Sequence, residues 1–117
     1  MIVGIGLDLV DISRIRKACE KRESFPSRVL TRNELQVYEQ LKGTRKEEFL
    51  AGRFSAKEAF SKALGTGIGK VGFQDIEIMN SPSGKPEITH SPFTGNTWIT
   101  ITHTEKTAAA QVILERN

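Results

Sequence analysis

Thr44-Arg45-Lys46-Glu47-Glu48-Phe49-Leu50-Ala51-Gly52-Arg53-Phe54-Ser55-Ala56-Lys57-Glu58-Ala59-Phe60-Ser61-Lys62-Ala63-Leu64 is the stretch around which the rest of the chain arranges itself. Thr44 with Glu47 has the spacing of a capping box. Phe49, Leu50, Phe54, Ala59, Phe60, Ala63 and Leu64 then recur as an apolar stripe at helical spacing, and Gly65 supplies the stop. This predicts one long helix over 44–64. On the N-terminal side, Thr31 with Glu34 forms another capping box, and Leu35, Tyr38 and Leu41 mark the face of a helix that Gly43 ends. Further back, Ile12, Ile15 and Cys19 define a helix that begins near Asp11 and fades before Pro26. Ile2 to Val10 is a short apolar run and reads as a buried strand, with Gly4 and Gly6 where another backbone approaches closely.

On the C-terminal side, Gly65-Thr66-Gly67-Ile68-Gly69-Lys70-Val71-Gly72 must be a loop, because so many glycines do not suit the interior of an element. The period then changes from helical to alternating. Asp75 to Met79 and Pro86 to Thr89 flank the turn Ser81-Pro82-Ser83-Gly84, and Trp98 to Thr102 and Ala108 to Leu114 flank a turn at Thr104 to Thr107. The expected class is α+β: an N-terminal strand and helices followed by an antiparallel sheet, in a single domain over 1–117.

With 117 residues, 38% hydrophobic and 26% charged, the chain has room for one ordinary domain. A chain this short buries only about two thirds of its unfolded surface, so a subunit interface is a natural source of further core. The single cysteine, Cys19, excludes an intrachain disulfide and agrees with a cytoplasmic protein. The opening run is interrupted by Asp8, lacks a basic leader and is too short to span a bilayer, so neither a signal peptide nor a membrane helix is expected. The net charge of +3 is concentrated: from Ile12 to Arg32, seven basic residues face only Glu20 and Glu23. Such a patch suits an acidic protein or a nucleic acid, or is simply a solvated helix face.

Three positions stand out chemically. Asp8 sits in an apolar strand, where a carboxylate must be ion-paired, must cap backbone N–H groups or must bind a cation. Glu58 and Lys62 share a helix face at i,i+4 spacing, which by itself is an ordinary ion pair. Their helix, however, runs into Gly65-Thr66-Gly67, a loop able to bring backbone N–H groups near an anion. His103, at a strand end, suits either anion binding or packing. No His/Cys cluster offers a zinc site, and no G-x-S-x-G sequence supports a hydrolase triad.

Gly4-Ile5-Gly6-Leu7-Asp8 followed by Arg14, the run Phe54 to Gly67, the turn Gly84-Lys85-Pro86, and Thr102-His103-Thr104 with Ala108 to Glu115 together resemble the holo-acyl-carrier-protein synthases, the small phosphopantetheinyl transferases. The resemblance runs from one end of the chain to the other. It departs at Thr100 and Thr102, where the family usually has serines.

The resemblance implies the phosphopantetheinyl transferase fold and a homotrimer, with coenzyme A in clefts between protomers. It also implies Mg2+ held by Asp8, Glu58 and the coenzyme pyrophosphate. The implied reaction moves 4'-phosphopantetheine from coenzyme A to a serine of apo acyl carrier protein and releases 3',5'-ADP, in fatty acid biosynthesis. Asp8, Glu58 and Lys62 would be catalytic, with Glu58 the candidate for taking the serine proton. Ser61, Gly65, Thr66 and Gly67 would lie along the coenzyme, and Arg45, Arg53, Pro86, His103 and Thr104 would complete its nucleotide pocket, partly from a neighbouring protomer. Arg14, Lys17, Lys21, Arg22, Phe25, Arg28 and Phe54 would form the docking face for the carrier protein. The rival readings are a basic module for RNA or another polyanion, and an inactive trimeric homologue. Few aromatics and no RNA-binding signature stand against the first, and the intact Asp8, Glu58 and Lys62 against the second.

Overall fold

Gly4 and Gly6 set the distance between the first strand and the long helix. In the computed structural model, which describes residues 1–117, strand β1 (Ile2–Asp11) lies directly on helix α4 (Thr44–Leu64). A methyl group at Gly4 would collide with the carbonyl of Ala63, and one at Gly6 with the carbonyl of Ala59. The next inward residue, Asp8, meets Ser55 through hydrogen bonds. Two residues of strand therefore match four of helix, because two strand steps cover about 6.6 Å and four helix steps about 6 Å. Val10 and Ala51 continue the series within one buried cluster.

Between these elements come α1 (Ile12–Lys21), α2 (Phe25–Val29) and α3 (Arg32–Gln40). After α4 follow a 3-10 turn (Phe73–Asp75) and strands β2 (Glu77–Asn80), β3 (Pro86–His90), β4 (Asn96–His103) and β5 (Thr107–Glu115). β1, β5 and β4 form an antiparallel sheet in that order, with Asp8 opposite Ala110 and Ile101 opposite Ala110 on the other side; β2 and β3 form a separate hairpin. The α+β class and the antiparallel pairing agree with the sequence reading, except that the N-terminal strand joins the C-terminal sheet at its edge.

Four local expectations need correction. β1 is buried on one face only: Ile5, Leu7 and Leu9 point away from α4 and are exposed. Gly43 does not end α3, which stops at Gln40; with φ 60 it instead precedes α4 as N-cap. Thr44 consequently lies inside the helix and no capping box forms there, while Glu47 turns to Arg16 in a two-bonded ion pair. The Thr31–Glu34 box does form, in both directions.

The fourth correction concerns α4 itself. It has no single apolar stripe, because the sheet packs on one side and α1, α2, α3 and β2 on the others, so its middle turns are buried nearly all round, Arg53, Ser55, Lys57 and Ser61 included. Ala56, Ala59, Phe60 and Ala63 enter the larger core cluster with Ile76, Ile78, Val112 and Leu114, and Leu50 and Ala51 enter the smaller one with Ile12, Ile15, Val29 and Leu30.

The strand and helix backbones leave no room for a side chain between them. Gly6→Ala is therefore expected to lower stability by about 2–3 kcal/mol or to prevent folding, as overpacking against rigid backbone does. Urea unfolding checks this, and a midpoint equal to wild type would contradict the packing described.

Candidate active site at the β1 and α4 contact

Asp8 is the one charged residue on the inner face of β1, and α4 offers it Ser55, Glu58 and Lys62. Ser55 Oγ lies 3.0 Å from the Asp8 carbonyl oxygen and 3.1 Å from Asp8 Oδ2. Lys62 Nζ donates to the Leu7 carbonyl at 3.0 Å and to Asp8 Oδ1 at 3.2 Å. Each carboxylate oxygen of Asp8 thus has its own partner, while Lys62 stays half exposed. Burial raises the Glu58 carboxyl above the usual glutamate range and the Asp8 charge raises it further, against the pull of Lys62 and Arg14.

Two carboxylates that repel one another, beside an exposed ammonium, form a donor set that suits a hard divalent cation. Magnesium commonly takes one or two carboxylates and completes its shell with phosphate oxygens and water. The chain has no group of three or more metal-binding side chains, so protein alone supplies only part of such a shell. The residues fit a cation shared with a phosphate ligand.

The 4'-phosphopantetheinyl transferase superfamily matches this chain over residues 4–113, which include both signatures, Gly4 to Asp8 and Phe54 to Gly67. A holo-[acyl-carrier-protein] synthase from Enterococcus faecalis is 56% identical over 115 residues, covering 98% of this chain and 98% of that protein. One from Streptococcus suis is 53% identical over 115 residues, covering 98% and 97%.

The chain belongs to the holo-[acyl-carrier-protein] synthase family.

Solved members of that family have the same fold. The synthase from Bacillus anthracis, in complex with CoA (3',5'-ADP), superposes with a TM-score of 0.93 at 49% identity, covering 100% of this chain and 99% of that one. The Helicobacter pylori synthase in complex with coenzyme A gives 0.84 at 35% identity, covering 95% and 99%. The chain is a transferase of this family.

The residues that the family resemblance singled out fall into several places. Asp8, Glu58 and Lys62 come together. Ser61 is buried, and its hydroxyl donates to the Glu58 carbonyl at 2.7 Å. Gly65 closes α4 in the left-handed conformation at φ 87, and the N–H groups of Gly65, Thr66 and Gly67 all converge on the Ser61 carbonyl at 3.0–3.2 Å. That overturns the expectation that this loop directs those N–H groups toward an anion: they already cap the helix.

Arg45 is exposed on the first turn of α4. His103, at the end of β4, has Nδ1 3.6 Å from Glu48 Oε2. Ten residues of helix separate Glu48 from Glu58, about 15 Å along the axis, so one chain does not bring His103 to the acidic pair. The Thr104 hydroxyl accepts from the N–H groups of Lys106 and Thr107 and shapes the β4–β5 turn. Arg53 lies inside the protein, donating to the Ile78 carbonyl and Asn80 Oδ1, both at 3.2 Å, with its guanidinium over the Phe49 ring. Pro86 opens β3 in a cleft of about 400 Å3 that also involves Lys85, Trp98 and Ile113.

Arg14, Lys17, Lys21 and Arg22 are exposed along α1 and its end, and Arg28 is exposed on α2. Phe25 and Phe54 meet with ring centroids 6.1 Å apart, and Phe73 extends the array, stacked on Phe54 at 5.4 Å. Phe73 was not singled out from sequence, because a phenylalanine after a glycine loop carries no periodic signal.

Lys57 was read only as a neighbour of Glu58, yet its side chain is fully buried. Nζ donates to Glu34 Oε1 at 2.6 Å, to the Val29 carbonyl at 2.6 Å and to the Phe73 carbonyl at 3.0 Å. Burial pulls the Lys57 ammonium below its usual range, while Glu34 opposes that shift. Glu34 also accepts from the N–H groups of Thr31 and Ile78, so this one pair ties α2, α3, β2 and the 3-10 turn to α4. Removing one partner of a buried pair strands the other charge. Lys57→Met is therefore expected to cost about 3–5 kcal/mol, and adding Glu34→Gln should recover part of it. Urea unfolding of both variants measures the difference, and a single variant as stable as wild type would refute the pairing.

Proposed function

We propose that this enzyme catalyses magnesium-dependent transfer of 4'-phosphopantetheine from coenzyme A to a serine of apo acyl carrier protein, giving holo acyl carrier protein and 3',5'-ADP, in the cytoplasm and in the service of fatty acid biosynthesis. The observation that carries the reading is the meeting of Asp8 with Glu58 and Lys62 where β1 lies on α4. The relatives named holo-[acyl-carrier-protein] synthase, and the family structure in complex with CoA (3',5'-ADP), support the choice of substrates.

In the reaction, the serine oxygen forms a bond to the β-phosphorus of coenzyme A. The bond from that phosphorus to the bridging anhydride oxygen breaks, and the electron pair leaves with 3',5'-ADP. Glu58, directly or through a water, takes the serine proton. Lys62, exposed and adjacent, places its ammonium against phosphate oxygens as negative charge shifts between them. Asp8 and Glu58 would hold magnesium, which supplies neutralisation of the pyrophosphate charge. Arg14, Lys17, Lys21, Arg22 and Arg28 steer an acidic carrier protein toward the aromatic pair Phe25 and Phe54, which acts as the apolar anchor.

The assembly in this reading is a homotrimer. The outer face of the β1-β5-β4 sheet supports it, since Ile5, Leu7, Leu9 and Trp98 are 59%, 62%, 69% and 51% exposed there. A contiguous apolar sheet face of this kind marks an interface. The separation of His103 from Asp8 within one chain also agrees with a coenzyme pocket that draws on two protomers.

Mass spectrometry of an apo acyl carrier protein incubated with enzyme, coenzyme A and magnesium tests the reaction. One phosphopantetheine should be gained, and the gain should vanish without magnesium or with Asp8→Ala. Glu58→Ala should lower kcat by about 100-fold or more. No gain with several apo carrier proteins would overturn the reading. Sedimentation velocity tests the assembly: wild type should run as three chains of 13.0 kDa, and Leu7→Asp with Leu9→Asp should run as one. A wild-type monomer at micromolar concentration would remove the trimer.

A further inference from the structure

Ser55 belongs to the central signature, yet neither the sequence reading nor the reaction outlined above gives it a role. Its position is unusual within the contact it occupies. Along α4, the row that lies directly against β1 is Ala51, Ser55, Ala59 and Ala63, with Lys62 reaching in from its side, and along β1 the residues that face α4 are Val10, Asp8, Gly6 and Gly4. Each series has one polar member, and the two polar members stand opposite each other. Ser55 is completely buried, so its hydroxyl proton has no water to choose. It is held by Asp8 alone, shared between the carbonyl oxygen at 3.0 Å and carboxylate Oδ2 at 3.1 Å.

The sharing has a mechanical meaning. A hydroxyl bonded at once to the main chain and the side chain of one residue fixes the torsion between them, and so fixes where the carboxylate points. Lys62 Nζ does the same at the opposite edge, bonding the Leu7 carbonyl and Asp8 Oδ1. Lys62, however, ends a long flexible chain and is half exposed, whereas Ser55 is a short side chain on a rigid buried turn. Of the two restraints, Ser55 is the permanent one.

We propose that Ser55 is the positioning residue for Asp8, holding its carboxylate in the orientation that a divalent cation at the Asp8 and Glu58 pair requires. The inference rests on the magnesium reading given above. Hydrogen-bond partners behind a metal ligand typically govern affinity or activity by about 10–100-fold. Ser55→Ala should therefore weaken magnesium binding by about 10-fold or more. Ser55→Cys keeps the branching of the side chain and replaces the hydroxyl by a poor donor, so it should show the same loss.

The experiment is calorimetric titration of magnesium into coenzyme A-saturated enzyme, for wild type, Asp8→Ala, Ser55→Ala, Ser55→Cys and the Asp8→Ala/Ser55→Cys pair, with the thermal midpoint of each protein recorded. Weaker magnesium binding by Ser55→Cys at an unchanged midpoint, and no further loss when Asp8 is already absent, is the expected result, because residues acting as one unit are not additive. Wild-type affinity in Ser55→Cys, with binding lost in Asp8→Ala, would overturn the role of Ser55 and leave the magnesium reading standing. A wild-type enzyme that binds no magnesium would overturn both.

Discussion

The contact of β1 with α4 is the constraint on which the other parts of the structure depend. Gly4 and Gly6 bring the strand backbone against the carbonyls of Ala63 and Ala59, and only glycine permits that distance. Because the two elements are this close, a side chain two residues further along needs to be only as long as aspartate to reach the helix. The acid pair, the lysine and the serine are thus consequences of a backbone packing. A wider separation would leave Asp8 out of reach of Ser55, and the edge strand would lose the helix that covers its inner face.

The helix makes a second demand, since it is buried nearly all round and still carries polar residues. Each of these is satisfied by a specific partner. Lys57 is satisfied by Glu34 and two carbonyls, Arg53 by Ile78 and Asn80, Ser61 by the Glu58 carbonyl and Ser55 by Asp8. No buried side-chain nitrogen or oxygen is left without a hydrogen bond. A central helix with this many buried polar groups is well determined in rotation: turning it by one residue would break several of these bonds together. The rigidity serves the site, because Glu58 and Lys62 stand on the same turns as the groups that anchor the helix.

Much of this was legible in the sequence. The long helix, the Thr31–Glu34 box and both later strand pairs could be read from spacing, since each depends on residues near one another in the chain; the glycines of β1 showed that some backbone comes close there, but not that it is the one at Ala59 and Ala63. The anomaly of Asp8 was visible for the same reason, and the family resemblance joined it to Glu58 and Lys62. What could not be read depends on partners far apart. Lys57 looked like its neighbours on a charged helix until Glu34 and the Phe73 turn were folded over it. Glu47 looked like a cap until Arg16 reached it from another helix. Gly65, Thr66 and Gly67 looked like an anion loop because glycine content does not say where N–H groups point, and here they point back to Ser61. The exposed face of β1 was misread because hydrophobic residues at every position do not reveal which side is covered by the same chain.

The pairing of β1 with β5 also governs the order in which the structure can form. Ile2 aligns with Glu115, and Asp8 with Ala110, so β1 has no partner until the chain has run through every helix and on to β5. The helices can form earlier from local contacts, but the sheet closes over almost the full length of the chain, which is the slow, high-separation kind of folding step. Until then the apolar run from Ile2 to Val10 is an unpaired strand on a nascent polypeptide. A chain cut before β5 would retain every residue of the acid cluster and have no sheet to hold Asp8 against its helix, so the site cannot assemble ahead of the sheet.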